Sequence, residues 1–255
     1  MAADQNYLQQ TTDPLFPNLL WSRPETKHGA GKLLIIGGQA QEFIHVAESF
    51  MQADQAGAGT IRVLMPDSTR KLTKMLPNIE YAPANASGSF AKTALAELLS
   101  ASQWADTVLL AGDIGKNSET NLMLESFMTT YTGPLVIASL AMQSVTMPLA
   151  DLFLRDSTSL IVTRSELQKI GIELKLEKAV TSTVNNSELA AILHKLTTDY
   201  ALNLVVADDS QTWNAYRGQV ALTNNAAAYT AAQVAVWTMQ NPAKLFEATT
   251  TAVYC

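Results

Sequence analysis

Cysteine is nearly missing from this chain. Its single thiol, Cys255, rules out an internal disulfide, and the three histidines leave scant material for a zinc site. Basic residues are also in short supply. Seventeen Lys and Arg stand against 23 Asp and Glu, a net charge of −6, the wrong sign for neutralising nucleic-acid phosphates. No apolar run approaches the roughly 20 residues that cross a bilayer. No basic start leads into an apolar stretch, the first charged side chain being Asp4, so no signal peptide is recognisable and a cytoplasmic location is expected. Two local absences weigh more. No glycine follows Gly218, and no Asp or Glu lies between Asp209 and Glu247.

What remains is rich in interior. Of 255 residues, 47% are hydrophobic and 16% charged, with a mean hydropathy of +0.06, enough to bury one large core. Residues 1–31 are polar and turn-rich, with Pro14, Pro17, Pro24 and Gly29-Ala30-Gly31. Their apolar side chains cluster at Leu15, Phe16, Leu19, Leu20 and Trp21. They read as an arm pinned over a single domain at 32–255 and available to a partner subunit.

From residue 32 the pattern alternates. "KLLIIGG", "TIRVLM", "IEYA", "DTVLLAG", "PLVIASL", "SLIVTR" and "LNLVVAD" are short, largely apolar runs suited to strands buried on both faces. Between them lie helical spacings: Phe43, Val46, Ala47, Phe50 and Met51, closed by Gly57 as a C′ residue; "PDSTRKLTKML"; "SFAKTALAELLSA"; "SETNLMLESFMTTY"; and the amphipathic stretch from Glu188. "QVALTNN" reads as a late strand, followed by helices over 226–240 and 242–253. Strands alternating with helices predict right-handed βαβ units, hence an α/β three-layer αβα sandwich around a mostly parallel sheet. Ligands of such sheets bind beyond the carboxyl ends of the strands. "GGQAQEF", "AGDIGKN", "TRSELQ" and "TNNAAAY" fall there.

The order of these pieces carries a resemblance. "RPETKHGAGKLLIIGGQAQEF", with Gly37-Gly38 followed by Ala56-Gly57-Ala58-Gly59, resembles the start of the ribokinase-like NAD(P)H-hydrate dehydratases. "LAGDIGKNSET" is similar to that family's Gly-Pro-Gly-Leu-Gly loop, "LIVTRSELQKI" to its Thr-Pro-His-x-Gly-Glu-Leu segment, and "QNPAKLFEATTTAVY" to its penultimate helix pair. The likeness spans residue 23 to the C-terminus. It implies a ribokinase-like fold, ATP or ADP with Mg²⁺ as cofactor, dehydration of hydrated NADH or NADPH, and a homo-oligomer. On the substrate side it points to Gly37, Gly38, Gln39, His45, Gly112, Asp113, Gly115 and Arg164. On the nucleotide side it points to Val206, Ala207, Asn225, Ala226 and Ala227.

The chemistry of that family is not matched residue for residue. Its Gly-Thr-Gly-Asp motif, whose backbone N–H groups hold phosphate and whose Asp is the catalytic base, falls on Ala226-Ala227-Ala228-Tyr229 or one residue earlier. Shifting the register recovers no carboxylate. The Gly-Pro-Gly triplet becomes Ala111-Gly112-Asp113, which sets a negative charge toward a phosphate-bearing substrate. At about 4 Å and an effective dielectric near 20, that repulsion is roughly 4 kcal/mol. The Thr-Pro-His histidine is replaced in Thr163-Arg164-Ser165-Glu166, an Asp-Ala-Asp strand ending by Ala138-Ser139-Leu140, and a Lys-Gly turn by Val206-Ala207.

Each remaining candidate has two readings. Lys116 and Arg164 are phosphate contacts or solvated charges, and His45 is a ligand or a partly buried, hydrogen-bonded residue. Asp113 is a relocated acid, a Mg²⁺ ligand or a loop residue. Asp208-Asp209 form a turn or a cation site, while Trp213 and Tyr216 are a base-stacking platform or hairpin packing. Three functions follow: a catalytically impaired nucleotide or dinucleotide binder, an active enzyme with Asp113 or Asp208 as relocated base, or a structural oligomer subunit.

Overall fold

The computed structural model describes residues 6–73, 77–181, 183–208, 211–224 and 231–255. The strands are β1 (Leu8–Gln10), β2 (Lys32–Gly37), β3 (Thr60–Pro66), β4 (Ile79–Ala82), β5 (Thr107–Ala111), β6 (Leu135–Ile137), β7 (Thr158–Thr163), β8 (Leu202–Asp208), β9 (Gln211–Tyr216) and β10 (Gln219–Thr223). The α-helices are α1 (Pro17–Trp21), α2 (Ile44–Gln55), α3 (Leu95–Trp104), α4 (Ser118–Thr130), α5 (Ser139–Met142), α6 (Leu149–Phe153), α7 (Arg164–Glu173), α8 (Asn186–Asp199), α9 (Ala231–Gln240) and α10 (Leu245–Ala252).

One sheet holds the strands in the order β1-β10-β9-β8-β7-β6-β5-β2-β3-β4. From β8 to β4 every pairing is parallel, whereas β9 runs antiparallel to both β8 and β10. Period-two alternation divides each central strand between two cores. Leu34 and Ile36 of β2 and Val108 and Leu110 of β5 pack under α3 to α8. Leu33 and Ile35, with Leu109 and Ala111, pack under α1, α2, α9 and α10. Because both faces are covered, the strands read as continuous apolar runs, and the three-layer α/β sandwich stands as expected.

Local chemistry fixes the helix starts. Thr163 and Glu166 form a reciprocal capping box on α7, as Asn185 and Glu188 do on α8. The Asn117 side chain caps α4 by accepting from the Thr120 N–H at 2.9 Å. Gly57 follows the last turn of α2 with φ +86°, a left-handed closing position.

Three segments differ from the sequence reading. "PDSTRKLTKML" forms only a 3₁₀ turn over Asp67–Thr69 among its described residues, with 74–76 outside them; Pro66 and the short 67–69 stretch offer no apolar stripe to hold a longer helix. "QTWNAY" is strand β9. Residues 8–10, from the segment set apart as an arm, form β1 in parallel with β10. Of the cluster in that segment, Leu19 is buried, Phe16 meets Phe246 edge-on at 6.0 Å, and Trp21 stays 88% exposed.

Candidate functional site

The strand order reverses between β2 and β5, which makes their carboxyl ends a topological switch point. There Gly37 pairs with Ala111. A Cβ on Gly37 would lie 1.8 Å from the Ala111 carbonyl oxygen, so the position admits no side chain. The loop after β2 closes on itself, Gln39 N–H donating to the Glu42 carbonyl at 2.8 Å. The loop after β5 turns at Gly112 and Gly115, whose φ values of +70° and +99° lie in the left-handed region. A third wall comes from residues 83–91, after β4.

Polar side chains bridge these walls. Gln39 Nε2 donates to Asp113 Oδ2 at 2.8 Å, and Ser89 Oγ donates to Gln39 Oε1 at 3.2 Å. Asp113 Oδ1 accepts from the Gly115 N–H at 2.9 Å. Glu42 Oε2 accepts from the Asp113 N–H at 3.2 Å, while its Oε1 takes His45 N–H at 3.2 Å and His45 Nδ1 at 2.9 Å. A carboxylate only accepts, so Nδ1 donates in this bond, and Nε2 has no hydrogen-bond partner among the described residues. Further out, Asn85 donates to Asn117 Oδ1 and Thr120 Oγ1.

The structure thus brings Gly37, Gly38, Gln39, His45, Gly112, Asp113 and Gly115 to one crevice. Lys116 is exposed beside it. Arg164 lies elsewhere: it opens α7 at the end of β7, two strands beyond β5. Its Nη2 donates to the Thr181 and Val184 carbonyls at 3.2 Å each, and Nη1 lies 3.7 Å from Asp208 Oδ2. Val206 and Ala207 are ladder residues of a hairpin, paired with Trp213 and Thr212, rather than a turn. Trp213 is fully buried and meets Tyr7 edge-on at 5.2 Å. Arg217 lies over the Tyr216 ring. Asn225, Ala226, Ala227, Ala228 and Tyr229, like Asp209, lie outside the described residues. Glu42, Ser89 and Asn85 are crevice residues that sequence reasoning passed over. A carboxylate just before a helix start was the available signal for Glu42.

Burial pushes the Glu42 carboxyl up, but hydrogen bonds from the His45 ring and from the backbone of Asp113 and His45, with the nearby His45 charge, outweigh it. The net shift is downward from the ordinary 4.5. A folded pKa below the unfolded one contributes stability above pH 4.5, and that contribution is lost as the pH falls through the folded value. Glu42→Gln should therefore soften the acid-side loss of stability. Urea unfolding midpoints compared between about pH 3 and 6 test this, and identical acid slopes for both proteins would contradict the assignment.

No protein-family model matches the sequence, and a search of curated proteins gave no significant match. Solved structures do match. A ribokinase-like superfamily protein from Enterococcus faecalis superposes with a TM-score of 0.71 at 16% identity, covering 100% of this chain and 87% of its own. A hypothetical protein from Streptococcus mutans gives 0.65 at 18%, covering 96% and 88%. An ADP/ATP-dependent NAD(P)H-hydrate dehydratase from Bacillus subtilis, co-crystallised with ATP/Mg²⁺, gives 0.60 at 14%, covering 95% and 87%. The chain has the ribokinase-like fold. Its structural neighbours include both that dehydratase and a phosphomethylpyrimidine kinase from Clostridium difficile.

Proposed function

We propose that this chain is a non-catalytic ribokinase-fold protein resembling the NAD(P)H-hydrate dehydratases, acting in the cytoplasm as a binding or assembly subunit without ATP-dependent turnover. One observation carries the reading: no carboxylate occurs between Asp209 and Glu247, the span in which the dehydratase-like base would fall. A relocated base is not favoured by the two candidates. Both Asp113 oxygens already accept hydrogen bonds within the crevice loops, and Asp208 pairs with Gln211 across the hairpin and faces Arg164.

The ATP and Mg²⁺ of the Bacillus subtilis dehydratase fit these residues poorly. Asp113 sets a negative charge in the loop that would meet phosphate. Val206 and Ala207 are committed to strand pairing. Trp21, Ile44 and Met51, exposed on the layer of α1 and α2, support self-association.

Incubation with ATP or ADP and hydrated NADH or NADPH should give no turnover above the enzyme-free rate. Titration calorimetry with ATP should give at most weak binding. Robust ATP-dependent turnover would overturn the proposal, and its loss in Asp113→Asn would move the role of base to that residue. Light scattering should report a mass above the 27.6 kDa monomer; a monomer removes the assembly role.

A further inference from the structure

The opposite end of the sheet, at the amino ends of its strands, holds a cavity of about 320 Å³. It lies between β5, β6 and β7 below and the junction of α9 and α10 above, lined by Thr107, Val136, Ser159, Thr238, Met239 and Leu245 among others. The register explains why. Leu109, Val136 and Ile161 point to the α9 layer, so period two turns Thr107 and Ser159 to the same side as Val136. The floor is therefore two hydroxyls flanking an isopropyl group, roofed by the last turn of α9.

These hydroxyls are buried, at 2% and 3% exposure, yet not used up. Ser159 Oγ accepts from Asn203 Nδ2 at 2.9 Å. Because Asn203 is the donor in that pair, the Ser159 proton is left for another acceptor. Asn203, itself wholly buried, has no partner for its Oδ1 among the described residues. At the mouth, Asp106 spends Oδ2 on the Lys32 N–H at 2.8 Å and keeps a second oxygen. Ser157, also on the rim, holds φ +54°, a conformation non-glycine residues adopt at a cost.

We propose that this cavity is a second small-molecule site, separate from the switch-point crevice, for a neutral polyhydroxylated ligand the size of one sugar or cyclitol. Hydroxyl groups both donate and accept. They answer Ser159 and Thr107 on the floor and Asp106 at the mouth together, and the C–H faces of such a molecule lie against Val136, Met239 and Leu245. A lone anion would meet Asp106 and the carbonyl end of α9. A purely apolar guest would strand the buried hydroxyls.

The probes are myo-inositol and xylitol, with benzene as the apolar contrast, read by saturation-transfer NMR on the full chain. At least one polyol should bind the wild type, with affinity falling at least tenfold in Thr107→Val and in Leu245→Trp. The second variant fills the space without touching the hydroxyl network, and melting curves confirm that both are folded. Asp113→Asn, at the far crevice, should leave polyol binding unchanged. Absence of polyol binding, binding that survives both folded variants, or a cavity that takes benzene in preference to either polyol would each overturn the assignment. The turnover assay is independent of this result, so either conclusion can fail alone.

Discussion

Gly37→Ala should leave little or no folded protein. The added methyl would be placed 1.8 Å from the Ala111 carbonyl oxygen and 2.9 Å from its carbon, so the obstacle is backbone of the adjacent central strand. No rotamer change relieves it. Either β2 and β5 part at their carboxyl ends, breaking the ladder at Gly37 and Ala111, or the crevice loops shift together. A loss of more than about 4 kcal/mol is expected, beyond the usual range for a point change and a large share of the stability of an ordinary domain. Gly29→Ala is the control. There the new Cβ meets nothing nearer than Thr26 Oγ1 at 3.8 Å, and the unfolding midpoint should hardly move. If the two variants unfold alike in urea, the steric account of the switch point is wrong.

Trp213→Ala should cost about 3–5 kcal/mol, the range for removing a large buried aromatic. Trp213 is fully buried on β9 among Leu204, Val206, Ala215 and Leu222, and its edge-on contact holds Tyr7 against the sheet. Its indole N–H has no hydrogen-bond partner among the described residues. Trp213→Phe forfeits no polar contact and should therefore cost much less than the alanine change. A base-stacking platform predicts the reverse pattern: little loss of stability for either variant, with loss of nucleotide affinity. Chemical denaturation of the three proteins separates the two.

Most strands that sequence reasoning found are buried on both faces, as β2 and β5 are, where an apolar run has no other explanation; β4, at the sheet edge, is only partly buried. The ones it passed over contain buried amides. Asn214 lies inside β9 because its Nδ2 donates to the Phe246 carbonyl at 3.0 Å and to Thr250 Oγ1 at 2.8 Å, both on α10. Gln10 of β1 is wholly buried by the same means, donating to Thr223 Oγ1 and the Thr250 carbonyl while accepting from the Leu15 N–H. A bonded amide N–H is cheap to bury, although Asn214 Oδ1 has no partner among the described residues. The bonding partners lie more than 30 residues away for Asn214 and over 200 for most of Gln10's, beyond any local pattern. The crevice was half legible for a related reason. Its glycines and Asp113 stand in short recognisable loops, whereas Ser89 and Glu42 matter only because three separate loops converge. Arg164 was grouped with the crevice residues on the substrate side by the resemblance, yet it joins Asp208, since strand order and not sequence order decides neighbours.

The parallel pairing of β1 with β10 also constrains how the protein is made. Gln10 and Thr223 are 213 residues apart. At about 5–20 residues per second, roughly 10 to 40 seconds of synthesis separate one strand from the other. Throughout that interval the first strand on the ribosome has no edge to join. The edge of the sheet is completed only once β10 has been made, so an early segment is stitched to a much later one.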